Sequence, residues 1–147
     1  MKSPAKSRTP ANTTNGQART KRSTIAVLKG SISESRSPSL VLTLLDTDIR
    51  DDLHVRLFVD YNAPDRLPPR AACEVPHNDT NPQAMRTATC NVSGLCMTAD
   101  IGVQRSLTIV VSDRLPMDFG ADPQALMMPG QSSYRFYFLR CQPPQTP

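Results

Sequence analysis

The residues with the clearest chemical potential are aspartates between two apolar runs, SLVLTLLD and LHVRLFVDY. Asp46 and Asp48 stand two apart at the end of the first run, Asp51 and Asp52 open the second, and Asp113 ends a later run, RSLTIVVSD. Calcium takes roughly six to eight hard oxygens, and carboxylates on converging strand ends can supply several of them. Asp46, Asp48, Asp51 and Asp113 are therefore a candidate calcium set. The simpler expectation is a polar turn, because aspartate caps nearby backbone donors and Arg50 or Arg114 is at hand to neutralise the charge. No glycine stands where an EF-hand loop needs one, which excludes that site.

Cys73, Cys90, Cys96 and Cys141 make an even set. Read as metal ligands, Cys73-x3-His77 followed by Cys90-x5-Cys96 has the right donor types, but tetrahedral zinc sites usually begin with a tighter cysteine pair. Disulfides are the better reading for a chain without tryptophan and with few aromatic residues to build a core. A local Cys90–Cys96 loop with Cys73 joined to Cys141 is the expected pairing. Cys73–Cys90 with Cys96–Cys141 is the alternative, and spacing does not decide between them. Nucleophilic catalysis has little to draw on. His54 and His77 are the two histidines, Ser93 and Ser112 are ordinary turn and strand hydroxyls, and neither a G-x-S-x-G elbow nor an H-E-x-x-H helix occurs.

These residues need elements to position them. SLVLTLLD, at 39–46, is a continuous apolar run of strand length, which reads as a strand covered on both faces. LHVRLFVDY, at 53–61, alternates. Leu53, Val55, Leu57, Val59 and Tyr61 face one way, while His54, Arg56, Phe58 and Asp60 face the solvent. TIAVLKGSI before them, MRTATC at 85–90, a short segment after Ser93-Gly94, RSLTIVVSDR and SYRFYFLRC read as further strands. In the last of these the aromatics Tyr134, Phe136 and Phe138 are assigned to the core, together with Leu107, Ile109, Val111, Val55 and Val59. Residues 62–83 hold five prolines and read as a loop stapled by Cys73; a central strand is excluded there because proline has no ladder donor. One short helical turn is expected at Pro123–Met128. Six or seven short strands separated by turn-rich loops predict an all-β fold, an antiparallel β-sandwich.

Composition divides the chain. Hydrophobic residues make up 38%, and six of the seventeen Lys and Arg residues fall within residues 1–24, where no acid occurs. The remainder then carries eleven basic against thirteen acidic groups, so the net +4 belongs to a basic arm. The expected organisation is a disordered arm at 1–24, a sandwich at 25–141 and a disordered tail at 142–147. The arm has no interleaved aromatics to stack bases, which argues against nucleic acid as a partner. No apolar run reaches the length of a membrane span. Asn12, Asn78 and Asn91 open N-x-[ST] triplets, a motif frequent by chance.

The motif D-x-D-x-x-D-x-L-x-V-x-x-F-V-D-Y, read at Asp46, Asp48, Asp51, Leu53, Val55, Phe58, Val59, Asp60 and Tyr61, resembles immunoglobulin-like modules of the cadherin and PKD type. With Leu107–Arg114 and the final strand Tyr134–Cys141, the chain over about residues 38–141 is similar to uncharacterised predicted lipoproteins of myxobacteria. The resemblance implies an immunoglobulin-like β-sandwich and no established activity. The resulting expectation is a non-catalytic structural or binding module for an unknown protein or surface ligand, without cofactor unless calcium binds. The alternatives are a metal-dependent or hydrolytic enzyme on a sandwich, and nucleic-acid contact through the arm. Cysteine use points to an extracytoplasmic, oxidising location. Residues 1–17 lack the apolar segment of a secretory signal, so a start upstream of Met1 is expected.

Overall fold

A computed structural model describes residues 24–33, 37–115, 122–125 and 130–144. Apart from Thr24, the basic arm lies outside them; of the tail, only the exposed residues 142–144 lie within them. Seven strands form: β1 (Ile25–Ser33), β2 (Ser39–Asp46), β3 (Leu53–Val59), β4 (Ala71–Val75), β5 (Met85–Asn91), β6 (Gln104–Ser112) and β7 (Ser132–Arg140). They make two antiparallel sheets, one in the order β1-β2-β5 and the other in the order β4-β3-β6-β7. The chain crosses between sheets after β2, β4 and β5, so strands distant in sequence become neighbours. The result is the expected antiparallel β-sandwich.

The core lies between the sheets. Leu40, Leu42 and Leu44 of β2 and Ala88 and Cys90 of β5 face Leu53, Val55, Leu57 and Val59 of β3 and Leu107, Ile109 and Val111 of β6; all are buried. Side chains two apart share a face of a strand, and the register Leu57↔Ile109 and Val55↔Val111 aligns the apolar rows. In β1 the pairing passes from Val27↔Leu44 directly to Lys29↔Thr43. Leu28 is therefore the extra residue of a bulge and is left largely exposed.

Three expectations about faces are corrected. The continuous run of β2 is not covered twice: its residues alternate between half-buried and buried, and only the face of Leu40, Leu42, Leu44 and Asp46 is inside. The alternating β3 is the strand covered on both sides, with all seven residues buried. His54, Arg56 and Phe58 do lie on the outer face of their sheet, beside Ser112, Val110 and Thr108 of β6, but that face is covered. Tyr61 packs tilted against Phe58 with ring centroids 4.9 Å apart, and Tyr134 packs tilted against Tyr61 at 5.9 Å. Gln124, itself buried, accepts from the Asn62 amide at 3.1 Å and donates to the Leu67 carbonyl at 3.0 Å. Arg66 holds Asp122 through two bonds of 3.1 and 2.6 Å. The chain folds back over the sheet through Asp60 and Asn62, both in the left-handed region at φ 53° and 63°; Asp and Asn are the non-glycine residues that tolerate it best.

The third correction concerns β7. Its buried or half-buried residues are Ser133, Tyr137 and Leu139, and the aromatics assigned to the core are outside. Tyr134 is 44% exposed, Phe136 69% and Phe138 79%. The segment read as a loop also contains β4. This is an edge strand bounded by Pro69 and Pro76, as proline's missing donor requires. The segment after Ser93-Gly94 is not a strand but a turn and a single 3₁₀ turn, Thr98–Asp100. Of the helical turn expected at Pro123–Met128, residues 126–128 lie outside the described residues.

Candidate functional site

The acidic pole forms where β2 ends. Asp46 is fully buried; one oxygen accepts the Asp48 amide at 2.9 Å, and the other accepts Arg86 Nη2 at 2.7 Å. Arg86 also donates to the Asp51 carbonyl at 2.6 Å. A guanidinium therefore occupies the centre of the 46–52 turn and serves the carboxylate and carbonyl oxygens that a cation would seek. Asp48 caps the Arg50 amide at 3.2 Å, and Asp113 accepts the Gln131 amide at 2.8 Å. Burial pushes the Asp46 carboxyl above its usual range, against the pull of the Asp48 amide and Arg86. Asp51 is also raised, first by burial and then by the charges of Asp48, Asp113 and Asp46. The four acids of the calcium set thus feel one another's fields. Among the described residues, however, no group of three or more His, Cys, Asp or Glu side chains is disposed to hold a metal ion.

Arg86 was not foreseen; Arg50 and Arg114 were the expected counter-charges. It occupies an inward position of β5, opposite Leu44 and in phase with Ala88 and Cys90. An arginine in the apolar phase of a strand was the available signal, because a buried charge needs a partner.

All four cysteines are in disulfides, in the alternative pairing. Cys73–Cys90 joins β4 to β5, and so joins the two sheets, with Cα atoms 5.1 Å apart; Cys96–Cys141 ties the segment after β5 to the end of β7, with Cα atoms 5.7 Å apart. The expected Cys90–Cys96 loop does not form, because Cys90 points inward to the facing sheet while the turn at Ser93-Gly94 carries Cys96 to the chain's last strand. The zinc set loses its thiolates to these bonds.

Each histidine sits beside carboxylates. His77 Nδ1 lies 2.6 Å from Asp52 and Nε2 lies 3.0 Å from Asp79, and the His77 amide donates to Asp52 at 2.8 Å. Asp52 therefore holds the imidazole above its usual range, and the His77 amide and ring hold the Asp52 carboxyl below its own. An open cleft of about 400 Å³ lies alongside, between His77, Asp79 and Arg50. His54 is buried, not solvated as expected, and its Nδ1 is 3.2 Å from Glu74. Register places Glu74, His54 and Ser112 in one row across three strands, the residue types of a nucleophilic triad. Ser112 is buried and its hydroxyl donates to the Arg114 carbonyl at 3.0 Å, so its proton is committed away from the imidazole.

A second ionic centre was not anticipated. Asp100 is 1% exposed and accepts from Arg70, from the Met97 amide at 2.9 Å and from Arg105 at 3.2 Å. Arg105 reaches on to Asp60 at 3.3 Å. The Arg70 bond, foremost, holds the Asp100 carboxyl below the ordinary range. The arrangement staples the 3₁₀ turn to the start of β4 and to β6, a structural task. Comparison with known protein families, with curated proteins and with solved structures finds no match. The fold and its sites define an all-β, disulfide-linked two-sheet sandwich.

Proposed function

We propose that this chain is a non-catalytic, extracytoplasmic structural or binding module of the immunoglobulin-like kind. The observation that carries the reading is the pairing of all four cysteines into two cross-links, one of them between the sheets. Such bonds persist in oxidising compartments and are rare elsewhere. The polar centres support the same reading. Arg86 neutralises Asp46 inside the acidic pole, Arg70 and Arg105 neutralise Asp100, and Ser112 is turned from His54. These are interactions that hold a scaffold in place.

The test is an intact mass under non-reducing conditions, on protein expressed into an oxidising compartment. The expected product is folded, without free thiol and lighter by four hydrogens than the reduced chain. Folded protein with four titratable thiols from that compartment refutes the reading. Elemental analysis of the same sample refutes its non-metal character if calcium or zinc co-purifies at about one ion per chain.

A further inference from the structure

The N-x-[ST] triplets at Asn12, Asn78 and Asn91 stand in different settings. Asn12 lies outside the described residues. Asn91 is the last residue of β5, paired in register with Ser39 of β2, and the next residue, Val92, is buried. Asn78 stands in the loop between β4 and β5, where residues 78–83 are all exposed. Its Oδ1 accepts the Thr80 amide at 3.0 Å, the Thr80 hydroxyl at 2.8 Å and the Asn81 amide at 3.1 Å. These bonds span two or three residues, so the turn needs no other strand and forms from local sequence. The hydroxyl that defines the triplet is already against the carboxamide. With Oδ1 turned into the loop, the amide nitrogen Nδ2 is left on the open side of an exposed side chain.

The residues around Asn78 leave room for a group at that nitrogen. Asp79, the middle residue of the triplet, pairs with His77 Nε2 at 3.0 Å, and His77 is fixed in turn to Asp52. Two clefts, of about 280 and 400 Å³, have Asn78 in their walls. The smaller also presents Asn81, Gln83 and Thr87, amides and a hydroxyl that can bond sugar hydroxyls. A group attached at Nδ2 meets open, polar volume and displaces no core side chain.

We propose that Asn78 is an acceptor for N-linked sugar. The inference rests on the extracytoplasmic reading above, because the triplet is modified in surface loops of exported chains. The co-reactant is a sugar carried on a lipid pyrophosphate. Nδ2 forms a bond to the anomeric carbon of that sugar, and the bond from this carbon to the pyrophosphate oxygen breaks. The lipid pyrophosphate leaves with the electron pair, and one Nδ2 proton passes to a base of the transferase. The side chain remains an amide, and nothing is oxidised or reduced.

The experiment exports the full chain through a secretory pathway that supplies this donor, and reads intact mass and mapped peptides. The expected product carries sugar at position 78. An amidase that cleaves the sugar–asparagine bond removes the added mass and leaves an aspartate at that position. Asn78→Gln and Thr80→Ala are expected to abolish occupancy there, whereas Thr80→Ser, which keeps the hydroxyl, retains it. A thiol count on the same sample separates the two readings. Exported protein without free thiol but with position 78 bare overturns this inference and leaves the cross-linked module standing. Sugar at position 91 with position 78 bare, or occupancy of position 78 that persists in Thr80→Ala, overturns it equally.

Discussion

Replacing Arg86 by methionine tests the account of the acidic pole. Asp46 has no exposed surface and the Arg86 side chain is 9% exposed, so their 2.7 Å contact is shielded from water. Removing the cation leaves a buried carboxylate that keeps the Asp48 amide as a donor and strips the Asp51 carbonyl of its guanidinium bond. Breaking a buried pair from one side costs about 3–5 kcal/mol. The retained amide bond places the expected loss near the lower end, about 3 kcal/mol, or a fall in Tm on the order of 10 °C for a domain of this size. The pH dependence has a definite sign. The folded pKa of Asp46 is already raised above 3.8 by burial, and losing Arg86 raises it further. The folded variant therefore takes up a proton more readily than its unfolded chain. Its deficit is full above that raised pKa and shrinks as pH falls through it towards 3.8. Urea unfolding with the disulfides intact, at pH 7 and near pH 4, measures both quantities. The double variant Asp46→Leu/Arg86→Met, which removes both charges, is expected to recover most of the loss. A cost below about 1 kcal/mol at neutral pH, or one that does not change with acid, refutes the reasoning.

The other predictions concern the cross-links, the covered face and His77. Loop lengths of 45 and 17 residues make Cys96→Ala/Cys141→Ala the costlier change, about 4 kcal/mol against about 3 for Cys73→Ala/Cys90→Ala; the reverse order in urea unfolding contradicts the chain-entropy account. Phe58→Ala is expected to cost about 3–5 kcal/mol although Phe58 is on an outer face, whereas Phe136→Ala, at an exposed site, stays within about 0.5; equal costs contradict the cover. An NMR titration of His77 should give a midpoint above 6.5, moving down in Asp52→Asn. The matching stability is fully present below 6.5 and disappears as pH rises through the raised value. An unshifted midpoint in the parent protein refutes the clamp.

How much of this was readable depends on which physical quantity each residue reports. Strand positions were legible because period-two patterning is local: β2, β3, β5, β6 and β7 fall where their apolar runs fall. The inward rows of β3 and β6 were legible for the same reason, since Val55, Val59, Leu107, Ile109 and Val111 are core residues. The phase of β7 was not. SYRFYFLR is apolar or aromatic on both rows, and counting rings favoured Tyr134, Phe136 and Phe138 over Tyr137 and Leu139. The deciding constraint was Cys141, which continues the inward phase and whose cross-link to Cys96 sits at the buried end of the strand. The cysteine pairing was illegible because spacing carries no information about the facing sheet. Asp46 was legible as a polar turn residue, but its partner was forty residues away on β5.

The swap between β2 and β3 shows the limit most directly. Alternation in LHVRLFV says that two rows differ in polarity; it does not say that the polar row meets water. Here that row meets residues 60–70 and 122–125, held down by Arg66, Asp122 and Gln124. Arg66 takes a left-handed φ of 45°, unfavourable for a side chain of its kind, and its guanidinium is bonded to both Asn62 and Asp122. That clamp holds Tyr61 over Phe58, so Phe58 is buried on a face its sequence marks as wet. It also sets where cover stops. The contact chain runs from Phe58 through Tyr61 to Tyr134, the end of β7 nearest the clamp. Phe136 and Phe138, two and four residues farther along, are left outside it. Cutting the clamp with Arg66→Ala should therefore expose Tyr134 and Phe58 without changing the exposure of Phe136. Tyrosine-selective modification mapped by mass spectrometry reads the first change, and equal reactivity of Tyr134 before and after the substitution would refute the link.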